Sequence, residues 1–189
     1  MFQSIKPQSM IPTYQVSHRN PKMSFVISLL FPSIIFPIDK HMLTTNNLRL
    51  RKLQRDDYNR GFLQVLAELT SVGEVSELKF QSTFDSLPND TYVYVIEDVE
   101  LGKVVAAATL LVEQKFIHQC GKVGHIEDVV VSSSYRGQNL GRVLVERLSE
   151  LAKQEGCYKT ILDCADHNVP FYEKCGLEVK GVEMGIYYH

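Results

Sequence analysis

A chain of 189 residues, 44% apolar and 22% charged, has the mass for one globular domain with an ordinary core. A formal charge of −2 excludes a broad basic surface of the kind that grips nucleic acid. Four of the twenty lysines and arginines and one of the 22 acids precede Met42, so the remainder carries 16 bases against 21 acids, and an anionic ligand must be met by local donors.

The first residues differ from the rest. Residues 23–38, MSFVISLLFPSIIFPI, form an apolar stretch interrupted by Pro32 and Pro37. It is shorter than the roughly 20 residues that cross a bilayer, and no small-x-small cleavage pattern follows Ile38. A targeting or membrane-contact segment, a disordered extension and translation upstream of the real start all fit it. Met42 opens an otherwise complete domain, which favours the last. The expected division is an N-terminal extension over 1–41 and a folded domain over 42–189.

From Asn47 the pattern becomes regular. LRLRKL (48–53) reads as a first strand, and DDYNRGFLQVLAELTSVG (56–73) as a helix with Phe62, Val65, Leu66 and Leu69 on one face. A second short helix is expected over 77–87. TYVYVIED (91–98) and KVVAAATLLVEQKF (103–116), separated by a turn at Glu100-Leu101-Gly102, read as an antiparallel pair. IEDVVV (126–131) is a strand, SSSYRGQNLG a loop, and GRVLVERLSELAKQEG (141–156) an amphipathic helix. KTILDC (159–164) is a further strand, NVPFYEKCG (168–176) a short helix, and LEVKGVEMGIYY (177–188) a final strand pair. Antiparallel and crossover connections together predict a mixed α/β sheet. Cys120, Cys157, Cys164 and Cys175 form no CxxC pair and no His stands at metal-ligand spacing, so reduced thiols and no metal are expected.

The segment 129–148 carries the most chemistry. A strand runs into Arg136-Gly137-Gln138-Asn139-Leu140-Gly141 and a helix begins at once. Unpaired N–H groups in a helix's first turn, with the helix dipole behind them, suit a pyrophosphate, and Arg136 adds a charged donor. An ordinary strand-to-helix turn has the same composition. It is neither a P-loop nor a dinucleotide fingerprint.

HIEDVVVSSSYRGQNLGRVLVERL resembles the acetyl-CoA motif of the GNAT N-acetyltransferase superfamily, Arg/Gln-x-x-Gly-x-Gly/Ala, with Asn139 where a glycine is common. LTSVGE, GHIEDVVV, YRGQNLG, GCYKTILDC, NVPFYEKCG and GVEM together resemble the eukaryotic glucosamine 6-phosphate N-acetyltransferases from about Leu48 to the C-terminus. The resemblance implies a three-layer α/β/α fold whose central sheet splays between strands 126–131 and 160–164. It implies acetyl-CoA as donor, held by backbone at Asp128, Val129 and Val130, by the loop Arg136, Gly137, Gln138, Asn139, Leu140 and Gly141, and by Asn168 and Tyr172. Asn168 also reads as a helix cap.

Direct transfer needs no nucleophilic side chain, but the acceptor ammonium must lose a proton. Glu127 and Asp163 are the implied groups to orient and accept it, and Tyr172 the donor to the departing thiolate. Solubilising edge charges, for Glu127 and Asp128, and core packing, for Tyr172, are the plainer readings of the same residues. Thr70, Lys115, His118, Glu127, Asp128 and Asp163 are implied to hold D-glucosamine 6-phosphate. Another small amine or a protein N-terminus is the alternative acceptor, and a relative that has lost its acceptor the non-enzyme one.

The family's C-terminal arginine, thought to reach the sugar phosphate across a dimer interface, is replaced here by Tyr187 and Tyr188, and the tryptophan common after LTSVGE is missing. Both departures fall on the acceptor side, where weaker or altered phosphate recognition is expected. The resemblance further implies a cytoplasmic homodimer with shared active sites and intertwined C-terminal strands, without nucleic acid or stable membrane association.

Overall fold

The structure is a computed structural model that describes residues 47–188. The expected extension over 1–41 lies outside the described residues. Five strands lie in one sheet in sequence order: β1 (Leu48–Lys52), β2 (Thr91–Asp98), β3 (Lys103–Gln114), β4 (Lys122–Val131) and β5 (Cys157–Ile161). The first three pairings are antiparallel, and β4–β5 is parallel. A parallel pair needs a crossover, here the helix α4 (Leu140–Gln154).

The centre of the sheet is covered on both faces. Val95, Ile96, Ala106, Ala108 and Leu110 are sealed from solvent, and an unbroken apolar run such as VVAAA is what a doubly covered strand requires. One face packs against α4, whose Leu140, Leu144, Val145, Leu148, Leu151 and Ala152 form a single buried stripe with Ile126 and Leu110. α5 (Val169–Lys174) adds Phe171 and Tyr172 to that layer. The opposite face carries α1 (Phe62–Leu66) and α2 (Glu77–Asp85), whose Phe62, Val65 and Phe80 meet Val95, Val104, Ala107 and Val130. The expected α/β/α layering therefore holds.

Several expectations change in detail. The helix expected over 56–73 is a 3₁₀ segment, Arg55–Arg60, that ends on left-handed Gly61 before the short α1. Asp57 explains the break: its fully buried carboxylate accepts from the Gln54 N–H at 2.7 Å and from Arg51 at 2.7 Å, which fixes the chain against β1. Strand β4 begins four residues earlier than expected, and β5 spans Cys157–Ile161 instead of running on to Cys164.

The expected strand pair over 177–188 does not form. Those residues have no ladder partner in the described chain, and Val182, Met184, Ile186, Tyr187 and Tyr188 are 79–95% exposed. Alternating apolar residues suit a sheet edge, but a strand needs a neighbour to satisfy its backbone.

Between β3 and β4 a single turn, α3 (Ile117–Cys120), holds His118, Gln119 and Cys120 at positive φ. Among the described residues no helix is long and apolar enough to cross a membrane.

Candidate active site

Strands β4 and β5 pair only from Lys122↔Cys157 to His125↔Ile161. β4 then continues six residues to Val131 while β5 ends, so its edge on that side is left unpaired over 126–131. The expected splay is present. A bulge sharpens it: the register with β3 jumps from Thr109↔Glu127 to Ala107↔Val130, leaving Asp128 and Val129 opposite Ala108, with Asp128 at φ 53. An extra residue bends a strand and re-aims its side chains. Here Val130 is turned into the core beneath α1, while Val129 and Val131 line a cleft of about 360 Å³.

Of the other residues expected to hold the donor, Arg136, Gly137, Asn139, Leu140, Gly141, Asn168 and Tyr172 also line the cleft. Asp128, Val130 and Gln138 do not line it. Val131, Tyr135 and Phe171 do, and were not singled out from the sequence; Val131 follows from alternation with Val129, whereas Phe171 offers no local signal.

The first turn of α4 opens on this cleft. Its N-cap is Asn139, at φ 59 and ψ 15, with no side-chain cap and no acidic residue in the first turn. Asn is among the residues that tolerate the left-handed region, so the departure from glycine keeps the backbone path. Uncapped N–H groups and the positive end of a 15-residue helix form an anion site. Gly137, at φ 80, has open space where a Cβ would stand. At Gly141 a Cβ would stand 3.2 Å from Phe171. The glycine brings α4 close to α5 as well as flanking the cleft. Asn168 makes no side-chain cap to α5, which removes the capping explanation for its position.

The loop 132–137 is held from outside by two carboxylates. Asp98 accepts from the Tyr135 hydroxyl at 2.7 Å and from the N–H groups of Glu100 and Leu101 at 3.1 and 3.0 Å. Glu68 accepts from the Ser133 N–H at 2.7 Å and the Ser132 hydroxyl at 2.9 Å, and lies 3.7 Å from the Arg136 guanidinium. Arg136 also donates to the Val131 carbonyl at 3.3 Å, yet its side chain stays 62% exposed.

At the splay, Glu127 is half-buried. Burial pushes its carboxyl above the ordinary value, and the charges of Asp128 and then Asp163 push it the same way; His125 opposes them. The three expected acids are thus electrostatic neighbours. Tyr172, packed edge-on against Phe171 with ring centroids 4.9 Å apart, has its phenol raised by burial and then by Cys164 and Cys175. It stays a neutral donor at working pH.

Lys115 and His118 lie elsewhere in the same chain. Lys115 follows the end of β3 and pairs with Glu113 at 2.5 Å, which also holds His125 at 2.9 Å. Thr109 is the residue opposite Glu127, so six further residues at about 3.4 Å each put Lys115 about 20 Å from Glu127 along the sheet. His118 is farther out, its ring 4.1 Å from that of Tyr158. Thr70 is exposed beyond α1, its N–H on the Leu66 carbonyl.

Comparison with known proteins agrees with this geometry. The acetyltransferase (GNAT) family model matches residues 48–177. A glucosamine 6-phosphate N-acetyltransferase of Dictyostelium discoideum is 45% identical over 148 residues, 77% of this chain and 94% of that protein. One of Candida albicans is 47% identical over 146 residues, 76% of this chain and 97% of that protein. The crystal structure of the Arabidopsis thaliana enzyme of the same name superposes with a TM-score of 0.74 at 42% identity, over 75% of this chain and 99% of that one. The chain belongs to the GNAT acetyltransferase family and, within it, to the glucosamine 6-phosphate N-acetyltransferases.

Proposed function

We propose that this chain transfers the acetyl group of acetyl-CoA to the 2-amino group of D-glucosamine 6-phosphate, giving N-acetyl-D-glucosamine 6-phosphate and coenzyme A. The observation that carries the donor half is the splay of β4 from β5 with the uncapped α4 N-terminus at its mouth. Main-chain donors there suit the diphosphate, and the unpaired β4 edge suits the amide-bearing pantetheine arm, which would lie along Val129–Val131 like an added strand.

Glu127 then has the character of a general base. A carboxyl raised by burial takes a proton from an ammonium more readily than an exposed one. Asp163, with the negative charge the ammonium needs beside it, orients the amine. The amine attacks the thioester carbonyl, the tetrahedral adduct collapses, and sulfur leaves with the proton or hydrogen bond of Tyr172. No side chain is acylated.

The acceptor half rests on the relatives' activity and on the cluster of acids at the splay. Lys115 and His118, some 20 Å from Glu127 in their own chain, serve this reading as contributions to a second copy's site. The exposed apolar tail at 182–188 supports a homodimer in which each C-terminal segment pairs with the other chain's sheet.

The test is thiol release from acetyl-CoA with glucosamine 6-phosphate against glucosamine. Turnover confined to the phosphorylated sugar is expected; equal rates overturn the acceptor assignment.

A further inference from the structure

Glu68 is the second residue beyond α1, an exposed position whose side chain is 30% exposed, and lies outside both buried clusters. Nothing in its packing calls for a carboxylate. Its two oxygens nevertheless take the Ser132 hydroxyl and the Ser133 N–H at the point where β4 leaves the sheet and becomes the loop, and Oε2 faces the Arg136 guanidinium. Those donors, the Ser133 N–H foremost, hold the carboxyl below its ordinary value, so it is ionised at neutral pH.

We propose that Glu68 is a positioning residue that sets the donor-phosphate loop and ties it to the acceptor-side segment 67–73. The proposal rests on the reading of Arg136–Gly141 as the acetyl-CoA phosphate loop. Two constraints follow from the geometry. First, the direction in which backbone leaves Ser132–Ser133 fixes where the N–H groups of Gly137 to Gly141 fall. The other ties on that stretch are the Ser132 N–H to the Val105 carbonyl at 2.9 Å, the Tyr135 N–H to the Ser132 carbonyl at 2.8 Å, the Tyr135 hydroxyl to Asp98, the Ser132 and Ser134 hydroxyls at 3.3 Å and the Arg136 guanidinium to the Val131 carbonyl at 3.3 Å. Glu68 alone among these reaches the loop from the acceptor side.

Second, a guanidinium paired loosely at 3.7 Å is kept near the loop without being neutralised by close contact. It remains available to a phosphate while giving up less freedom on binding. Thr70, two residues from Glu68, is fastened to α1 through its N–H to Leu66 at 3.2 Å. A displacement of the loop that moves Glu68 therefore acts two residues from a position expected to meet the sugar.

The test uses the full chain with four variants: Glu68→Ala, Glu68→Gln, Ser132→Ala and the Glu68→Ala/Ser132→Ala double variant. Acetyl-CoA affinity is read by calorimetry, the acceptor KM by thiol release and folding by thermal melting. Loss of a charge-assisted contact of this kind weakens binding about tenfold. Glu68→Ala is therefore expected to raise the acetyl-CoA Kd about tenfold and the acceptor KM in step, with the melting temperature within about 2 °C of wild type. Glu68→Gln, which keeps the shape and loses the charge, should fall between. The double variant should be no weaker than Glu68→Ala, because Ser132 acts through the same carboxylate.

An acetyl-CoA Kd within twofold of wild type for Glu68→Gln and Glu68→Ala overturns the proposal. So does an affinity loss in both that tracks a loss of melting temperature, as does an acceptor KM unmoved while the donor Kd rises, or effects of Glu68 and Ser132 that multiply. A wild-type chain that binds no acetyl-CoA overturns the donor reading itself, a result distinct from all of these.

Discussion

A carboxyl that takes a proton from an ammonium near neutral pH works best with its own pKa drawn toward that pH, and Glu127 is drawn there by burial and then by Asp128 and Asp163. Replacing Asp128 by Asn removes a negative neighbour, stabilises the Glu127 carboxylate and lowers its pKa. The acidic limb of the kcat/KM profile should therefore move to lower pH. An unmoved limb would separate that limb from Glu127. Glu127→Gln should lower kcat by about 10²- to 10⁴-fold with acetyl-CoA affinity kept, as measured by thiol release and calorimetry. Tyr172→Phe keeps the ring against Phe171 and loses only the hydroxyl, so slower turnover at an unchanged melting temperature is expected; equal rates would leave Tyr172 a packing residue.

At the scale of elements, the position of the splay depends on how closely α4 sits on β4, and Gly124 sets that distance. A Cβ at 124 would fall 2.8 Å from Ala152 Cβ and 3.1 Å from Leu110 Cδ1. Gly124→Ala should cost about 1–3 kcal/mol, because the helix or the core must shift. Adding Ala152→Gly removes the overlapping atom, so the pair should be more stable than the sum of the two single changes in urea titrations. The loop-to-helix passage at 136–141 was legible because its chemistry is local: a charged residue, a left-handed position and an uncapped helix start lie within six residues. The strands from β2 to β4 were legible for the same reason, each carrying its own apolar run. The bulge at Asp128 was not, since it arises from a register mismatch with β3 that no residue in IEDVVV announces. Nor was the broken first helix, whose cause is Asp57 reaching Arg51 across the chain, or the clasp of Glu68 on Ser133, 65 positions away. The alternation at 182–186 is real in the sequence, but strand formation is decided by a neighbour and not by the segment.

For the molecule as a whole, the outer strands are tied to the helical layer by buried charge. Glu97, 2% exposed, takes Arg51 at 2.8 Å, Arg49 at 2.7 Å and Arg60 at 2.8 Å, while Arg51 also forks onto Asp57. The hydrogen bond from Arg51, then that from Arg49, holds the Glu97 carboxyl down at about 2. A depressed folded pKa gives stability that is present above the ordinary value of 4.5 and lost as pH falls toward 2, about 3 kcal/mol in all. Glu97→Gln should be less stable at pH 7 by that order, with the gap closing between pH 5 and 2.5; a constant gap would place the effect in packing and not in charge.

At the largest scale stands the proposed acceptor role of Lys115 and His118, which their own chain places about 20 Å from Glu127. The proposed homodimer would account for it, provided that its isologous interface brings one copy's hairpin end to the other copy's splay. Mixing decides the matter. Asp163→Asn and Lys115→Ala impair different chains' contributions, so after unfolding and refolding together about half of the dimers are mixed, and each mixed dimer has one site with both residues intact. Activity should return to roughly a quarter of wild type, while each variant alone stays low and sedimentation gives twice the chain mass. A mixture no more active than its parents would mean that Lys115 acts within its own chain or not at all, and the shared site would fall with it.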